Sequence, residues 1–168
     1  MKNIIIIGMP GAGKSTVGVI LAKTLGRNFI DTDIVIQENA GRLLQEIIDT
    51  DGPDAYLKIE EKTILSRHFH NSVIATGGSV VFSKKAMDYL KKEGVVIYLN
   101  ISFEEMARRL NNITTRGIVL FRGESLRDMY RERIPLYEKN ADITIDCSDE
   151  DFEKIVGKVI EELAGFRV

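Results

Sequence analysis

The chain is poor in the residues that mark specialised proteins. It holds one cysteine, Cys147, in 168 residues, so no internal disulfide can form. That thiol reads as a small hydrophobic filler. Its two histidines, His68 and His70, have no cysteine or third histidine nearby, which argues against a metal role. No apolar run approaches the ~20 residues of a membrane span. The formal net charge is -2, so neither nucleic acid nor a membrane is expected as partner. Met1-Lys2-Asn3 leads straight into an apolar run, leaving no room for a signal peptide. Internal repeats and low-complexity linkers are also missing. What remains is the profile of a soluble single-domain protein, expected to be cytoplasmic and monomeric.

Against this background one segment stands out. Gly8-Met9-Pro10-Gly11-Ala12-Gly13-Lys14-Ser15 follows the isoleucines 4–7 and matches G-x-x-x-x-G-K-[ST] at every specified position. Glycines let such a loop turn so that backbone N–H groups converge on one anion. The helix that follows adds its positive end. Gly11, Ala12, Gly13, Lys14, Ser15 and Thr16 are therefore the expected contacts to a nucleoside triphosphate. Lys14 would reach the terminal phosphates and Ser15 a magnesium ion.

Apolar runs at 4–7, 28–31, 73–76, 95–99 and 143–145 read as strands. Helical spacing or caps fall over 14–25, 33–38, 43–48, 53–69, 83–92, 102–110, 124–139 and 151–163. Gly26 is the expected stop of the first helix, Ser83 and Ser102 are expected N-caps, and Pro135 a kink or break. The alternation predicts an α/β fold: three layers, with a five-stranded parallel sheet between helices. Ligands bind such sheets at the carboxyl ends of the strands.

That rule gathers the other chemistry-bearing residues. Asp31 and Asp33 end the second strand. Phosphoryl transfer to an alcohol needs a carboxylate on the hydroxyl and acidic or hydroxyl groups around magnesium, and either Asp could serve or could cap the next helix. Gly77 and Gly78 either admit a ligand close to backbone or form a tight turn. Thr76 before them could order a water at the metal. Arg116, in the weakly patterned stretch 111–123, suits a lid over a triphosphate; a solvated surface arginine is the plainer reading, and Arg122 shares both. Arg133 could clamp a carboxylate or pair with Glu132 at the surface.

These residues together resemble the shikimate kinase family, of the P-loop, nucleoside-monophosphate-kinase-like fold. The resemblance rests on G-M-P-G-A-G-K-S-T (8–16), F-I-D-T-D (29–33), the stretch from Asp51 to Glu61, A-T-G-G (75–78) and R-x-P-L-Y (133–137). It implies ATP and Mg2+ as cofactors, and shikimate, or a similar small hydroxy acid, as acceptor. Asp31 and Ser15 would then lie at the metal, and Asp33 would be acceptor ligand and base. Gly77, Gly78 and Arg133 would bind the acceptor, Arg109 would pack on adenine, and Arg116 would be the lid arginine. A mobile lid at about 111–123 and a substrate-binding helical insertion at about 33–61 follow from the same likeness. The chain departs from the pattern in three places. Leu57 stands where an arginine is usual, Ser79 where a third glycine is, and 116–119 reads Arg-Gly-Ile-Val for Arg-Pro-Leu-Leu. A kinase for another acceptor, such as a gluconate-like acid or a nucleotide, and a nucleotide-binding regulator without turnover are the alternatives.

Overall fold

The computed structural model describes residues 2–111, 117–148 and 150–166. The isoleucine run forms β1 (Asn3–Gly8), buried at every residue. With β2 (Asn28–Asp31), β3 (Ser72–Ala75), β4 (Gly94–Asn100) and β5 (Ile143–Asp146) it builds a five-stranded sheet in the order β2-β3-β1-β4-β5. All ladders are parallel. A middle strand covered on both faces has no solvent side, which is why β1 is apolar from Ile4 to Ile7. At the edge, β5 alternates, burying Ile143 and Ile145 and exposing Thr144 and Asp146.

Parallel pairing demands crossovers, and helices supply them. They are α1 (Lys14–Leu25), α2 (Thr32–Ala40), α3 (Leu44–Asp51), α4 (Pro53–Leu65), α5 (Lys84–Glu93), α6 (Phe103–Asn111), α7 (Leu126–Asn140) and α8 (Phe152–Leu163). Their ends follow local chemistry. Gly26 closes α1 in the left-handed conformation, its N–H reaching the carbonyls of Ala22 and Lys23. The Ser83 hydroxyl accepts from Ala86 N–H and starts α5. Ser102 accepts from Glu105 N–H at 3.2 Å, but the Glu105 carboxylate turns to Arg108 and Arg109.

Two boundaries differ from expectation. Helix α4 stops at Leu65 instead of running to residue 69, because Phe69 is pulled into the main core at 6% exposure. Pro135 lies within α7, and the helix continues through it to Asn140. Among the described residues no helix is long and apolar enough to cross a membrane.

The sheet and its helices enclose the larger core. A smaller one, around Ile36, Ile47, Tyr56 and Val119, holds α2, α3 and α4 together and fastens them to the segment after residue 116. Gly117 packs so closely there that an added Cβ would lie 2.4 Å from Leu44 Cβ. For the site, strand order matters most. Asp31 pairs with Ala75 and Ala75 with Ile6, so the carboxyl ends of β2, β3 and β1 stand side by side.

Candidate active site

The loop between β1 and α1 curls over the carboxyl edge of the sheet. Gly13 is the N-cap of α1 at a φ of 89°, and an added Cβ would meet the Phe152 ring at 2.5 Å. Both facts demand glycine there. Lys14 folds back over the loop, its Nζ donating to the carbonyls of Gly8 and Met9 at 2.8 Å each. The loop bounds a cavity of about 220 Å3, lined also by Ser15, Thr16, Asp33, Gln37, Thr76 and Gly78 and flanked by Leu44 and Gly117. So strand ends one, two and three do open on one crevice.

Asp31 does two things at once. Its Oδ1 accepts from Asp33 N–H at 3.0 Å and caps α2, while its Oδ2 accepts from Ser15 Oγ at 2.6 Å. Two hard oxygens from neighbouring elements meet at the phosphate loop. Magnesium takes one or two protein ligands and completes its shell with water and phosphate, so this pair fits it. Capping, which competes with metal holding when read from the sequence, takes one carboxylate oxygen of Asp31 and leaves the other toward Ser15. Thr76 lines the same cavity, and its hydroxyl donates to Ile6 O at 2.9 Å, which leaves its lone pairs to accept from a water.

The acceptor side is built around Gly77. An added Cβ would lie 2.4 Å from Glu60 Oε1 and 2.8 Å from Asp33 Oδ1, so two carboxyl groups crowd the same point. The Gly77 N–H donates to Thr32 Oγ1 at 3.3 Å, and Gly78 presses on Pro10 while its carbonyl accepts from Tyr137 OH at 2.5 Å. Tyr56 hydrogen-bonds Asp33 from α4. Burial first, then the charges of Glu60 and Asp33, raise that phenol's pKa far above its ordinary value, so it acts as a donor.

Glu60 is 2% exposed. Its Oε2 accepts from Ser79 Oγ at 2.8 Å, and its Oε1 has no hydrogen-bond partner. Burial, reinforced by the Asp33 carboxylate, pushes its pKa up to about 8, against the opposing pull of Ser79, Arg133 and Lys14. Burial beside Asp33 therefore favours the protonated form of Glu60.

Arg133 is 1% exposed, which rules out the surface pair with Glu132. Its Nη2 donates to Val119 O at 2.5 Å, its guanidinium lies 5.2 Å from the Phe82 ring centre, and its Nε is buried without a partner. Leu57 lines a neighbouring cavity of about 120 Å3 with Lys58, Glu60, Ser79 and Phe82. Arg42 does not stand in for a missing cation at Leu57, because it pairs with Asp51 at 2.6 Å. On the far side of the loop Arg109 donates to Gly11 O at 3.0 Å and to Glu105 at 2.7 Å, with Phe152 5.9 Å away. Arg116 lies outside the described residues, and Arg122 is exposed. Among the described residues no cluster of three or more His, Cys, Asp or Glu could hold a metal. Cys147 is buried, and burial pushes its thiol up to about 12.

Three residues of this pocket carried no role when read from the sequence: Tyr56, Glu60 and Ser79. Tyr56 and Glu60 stand four apart on α4 and so share a face, a signal that was available. Ser79 comes to Glu60 only through the packing of α4 against the turn after β3.

Comparison with known proteins agrees with this geometry. The family model described as shikimate kinase matches residues 10–164. The shikimate kinase of Thermodesulfovibrio yellowstonii is 39% identical over 165 residues, covering 96% of this chain and 95% of that one. That of Haemophilus influenzae is 35% identical, covering 95% and 91%. Among solved structures, the shikimate kinase of Acinetobacter baumannii in complex with shikimate superposes with a TM-score of 0.90 at 29% identity, over 100% of this chain and 96% of that one. A gluconokinase from Sinorhizobium meliloti, at 22% identity and a TM-score of 0.59, shares the fold alone. With a phosphate loop and an aspartate on one crevice, and likeness along nearly its whole length, the chain belongs to the shikimate kinase family.

Proposed function

We propose that this chain transfers the terminal phosphoryl group of ATP to a hydroxyl of a small hydroxylated acid, with shikimate as the acceptor and shikimate 3-phosphate as the product. The observation that carries the reading is the position of Asp33, which follows β2, two strands over from the loop, and lines the same cavity as Lys14 and Ser15. Gly11, Ala12, Gly13 and Thr16 supply backbone donors for the phosphates, and Arg109, fixed to Gly11, packs on the base. Mg2+, held by Ser15 and Asp31, neutralises phosphate charge when bound. Asp33, steadied by Tyr56, aims the acceptor hydroxyl and takes its proton. Lys14 stabilises negative charge on the transferring group. Arg133 directs its unpartnered Nε at the acceptor carboxylate, and Gly77 and Gly78 let the acceptor approach. Arg116, in a lid at about 111–123, would complete the charge neutralisation, while α2, α3 and the start of α4 form the acceptor-binding insertion. The protein works as a cytoplasmic monomer.

Leu57 favours a second reading, in which the acceptor is another small molecule such as a gluconate-like acid or a nucleotide, because it is uncharged where the family usually has an arginine. ADP release assayed across shikimate, gluconate and nucleoside monophosphates separates the two. A preference for shikimate by orders of magnitude supports the first reading. A preference for gluconate or a nucleotide supports the second, and nucleotide binding without acceptor-dependent ADP release overturns both.

A further inference from the structure

Ser79 is 3% exposed and spends its hydroxyl on one atom, Glu60 Oε2. The other carboxyl oxygen is thereby turned to Gly77 and the Asp33 side, where it is buried and unpartnered. Behind the pair lies the cavity of about 120 Å3 that Leu57 and Phe82 help to line. A carboxyl released by Ser79 has room to swing there. A buried polar atom without a partner is costly, and a ligand that supplies the partner recovers the cost.

We infer that Ser79 is a positioning and specificity-determining residue: by holding Glu60 Oε2 it aims Oε1 at the acceptor hydroxyl next to the one that Asp33 holds, so the site selects a vicinal diol. This inference rests on the acceptor pocket proposed above and names what it recognises. Two carboxyl groups around one glycine suit two neighbouring hydroxyls. Asp33, as a carboxylate, accepts from the reacting hydroxyl. Glu60, carrying its proton on Oε1, donates to the adjacent one. The groups that face Glu60 are Asp33 of α2, Lys14 of α1, Tyr56 of its own helix, Ser79 after β3, and Arg133 and Tyr137 of α7. Of these, Ser79 is the neutral donor that fixes the rotamer.

The test is steady-state kinetics of ADP release with shikimate against pH, for the wild type, Ser79→Ala, Glu60→Gln and the double variant. Ser79→Ala should raise the acceptor KM by about three- to tenfold, with a smaller effect on kcat. Its alkaline limb in kcat/KM should move to higher pH, because the lost bond favoured the ionised form of Glu60. Glu60→Gln should remove that limb, and adding Ser79→Ala to it should change KM little. A deoxy acceptor lacking the adjacent hydroxyl should be discriminated against less by Ser79→Ala than by the wild type. An unmoved limb with unchanged KM in Ser79→Ala, or effects that add in full, overturns this inference alone. No acceptor-dependent ADP release from the wild type overturns the proposed function and this inference together.

Discussion

Asp33 and Arg133, in the roles proposed above, should fail in different ways. As the proposed base, Asp33 would carry the proton transfer, a contribution of about 10²–10⁴ in rate, while the nucleotide would sit on the loop and helix α1. Asp33→Ala should therefore lower kcat by that factor and leave the ATP-analogue Kd within about twofold, read by stopped-flow turnover and calorimetry. Arg133, as the proposed acceptor clamp, would act by charge-assisted bonding to a carboxylate. Arg133→Lys shortens the reach and removes the guanidinium fork, so acceptor KM should rise about ten- to a hundredfold while ATP KM holds. A fall in kcat with KM unchanged would contradict that placement. The motif residues Lys14, Ser15, Asp31 and Asp33 were legible in the sequence because each sits at a fixed offset from a strand end. Glu60 and Ser79 were not, since they lie 19 residues apart and meet only when α4 packs on the turn after β3. The clamp proposed for Arg133 came from its motif, but its burial was not legible, since it needs Val119 to pack over it.

Most elements were written in local chemistry. Helix α1 runs over Lys14–Leu25 because glycines bracket an apolar stripe, and both ends were readable. The end of α4 was not, because Phe69 is drawn away by the main core, a tertiary effect with no local signal. Pro135 misled in the other direction: α7 packs well enough to carry one missing N–H. At this scale the phosphate loop depends on Gly13. Gly13→Ala imposes a left-handed φ on a side chain and drives it into Phe152. The variant should lose more than about 1 kcal/mol of stability by urea titration and bind nucleotide at least tenfold more weakly. Adding Phe152→Ala should relieve the clash while leaving the strain, so recovery should be partial; full recovery would show that φ does not matter there.

For the molecule as a whole, the buried acid beside Asp33 ties stability to pH. Glu60 has an ordinary carboxyl pKa of 4.5 and about 8 when folded. Because the folded value is raised, the native state keeps a proton that the unfolded chain releases, and stability falls as pH rises from about 4.5 to 8. The loss is on the order of a few kcal/mol, or roughly 10 °C or more in Tm for a chain of this size. Glu60→Gln should flatten this component, so its Tm minus that of the wild type should grow between pH 5 and pH 9 by scanning calorimetry. A difference independent of pH would mean that Glu60 is ionised in the fold. The strand order converts a local motif into a site by setting the ends of β1, β3 and β2 in a row. The central claim is that the phosphate loop and Asp33 serve one reaction centre. A crystal of the protein with a non-hydrolysable ATP analogue, Mg2+ and shikimate measures it directly. The account predicts phosphates on the amides of residues 11–16 and a shikimate hydroxyl within hydrogen-bond distance of the Asp33 carboxylate, in line with the terminal phosphate. Shikimate bound away from Asp33, or phosphates away from the loop, would contradict it.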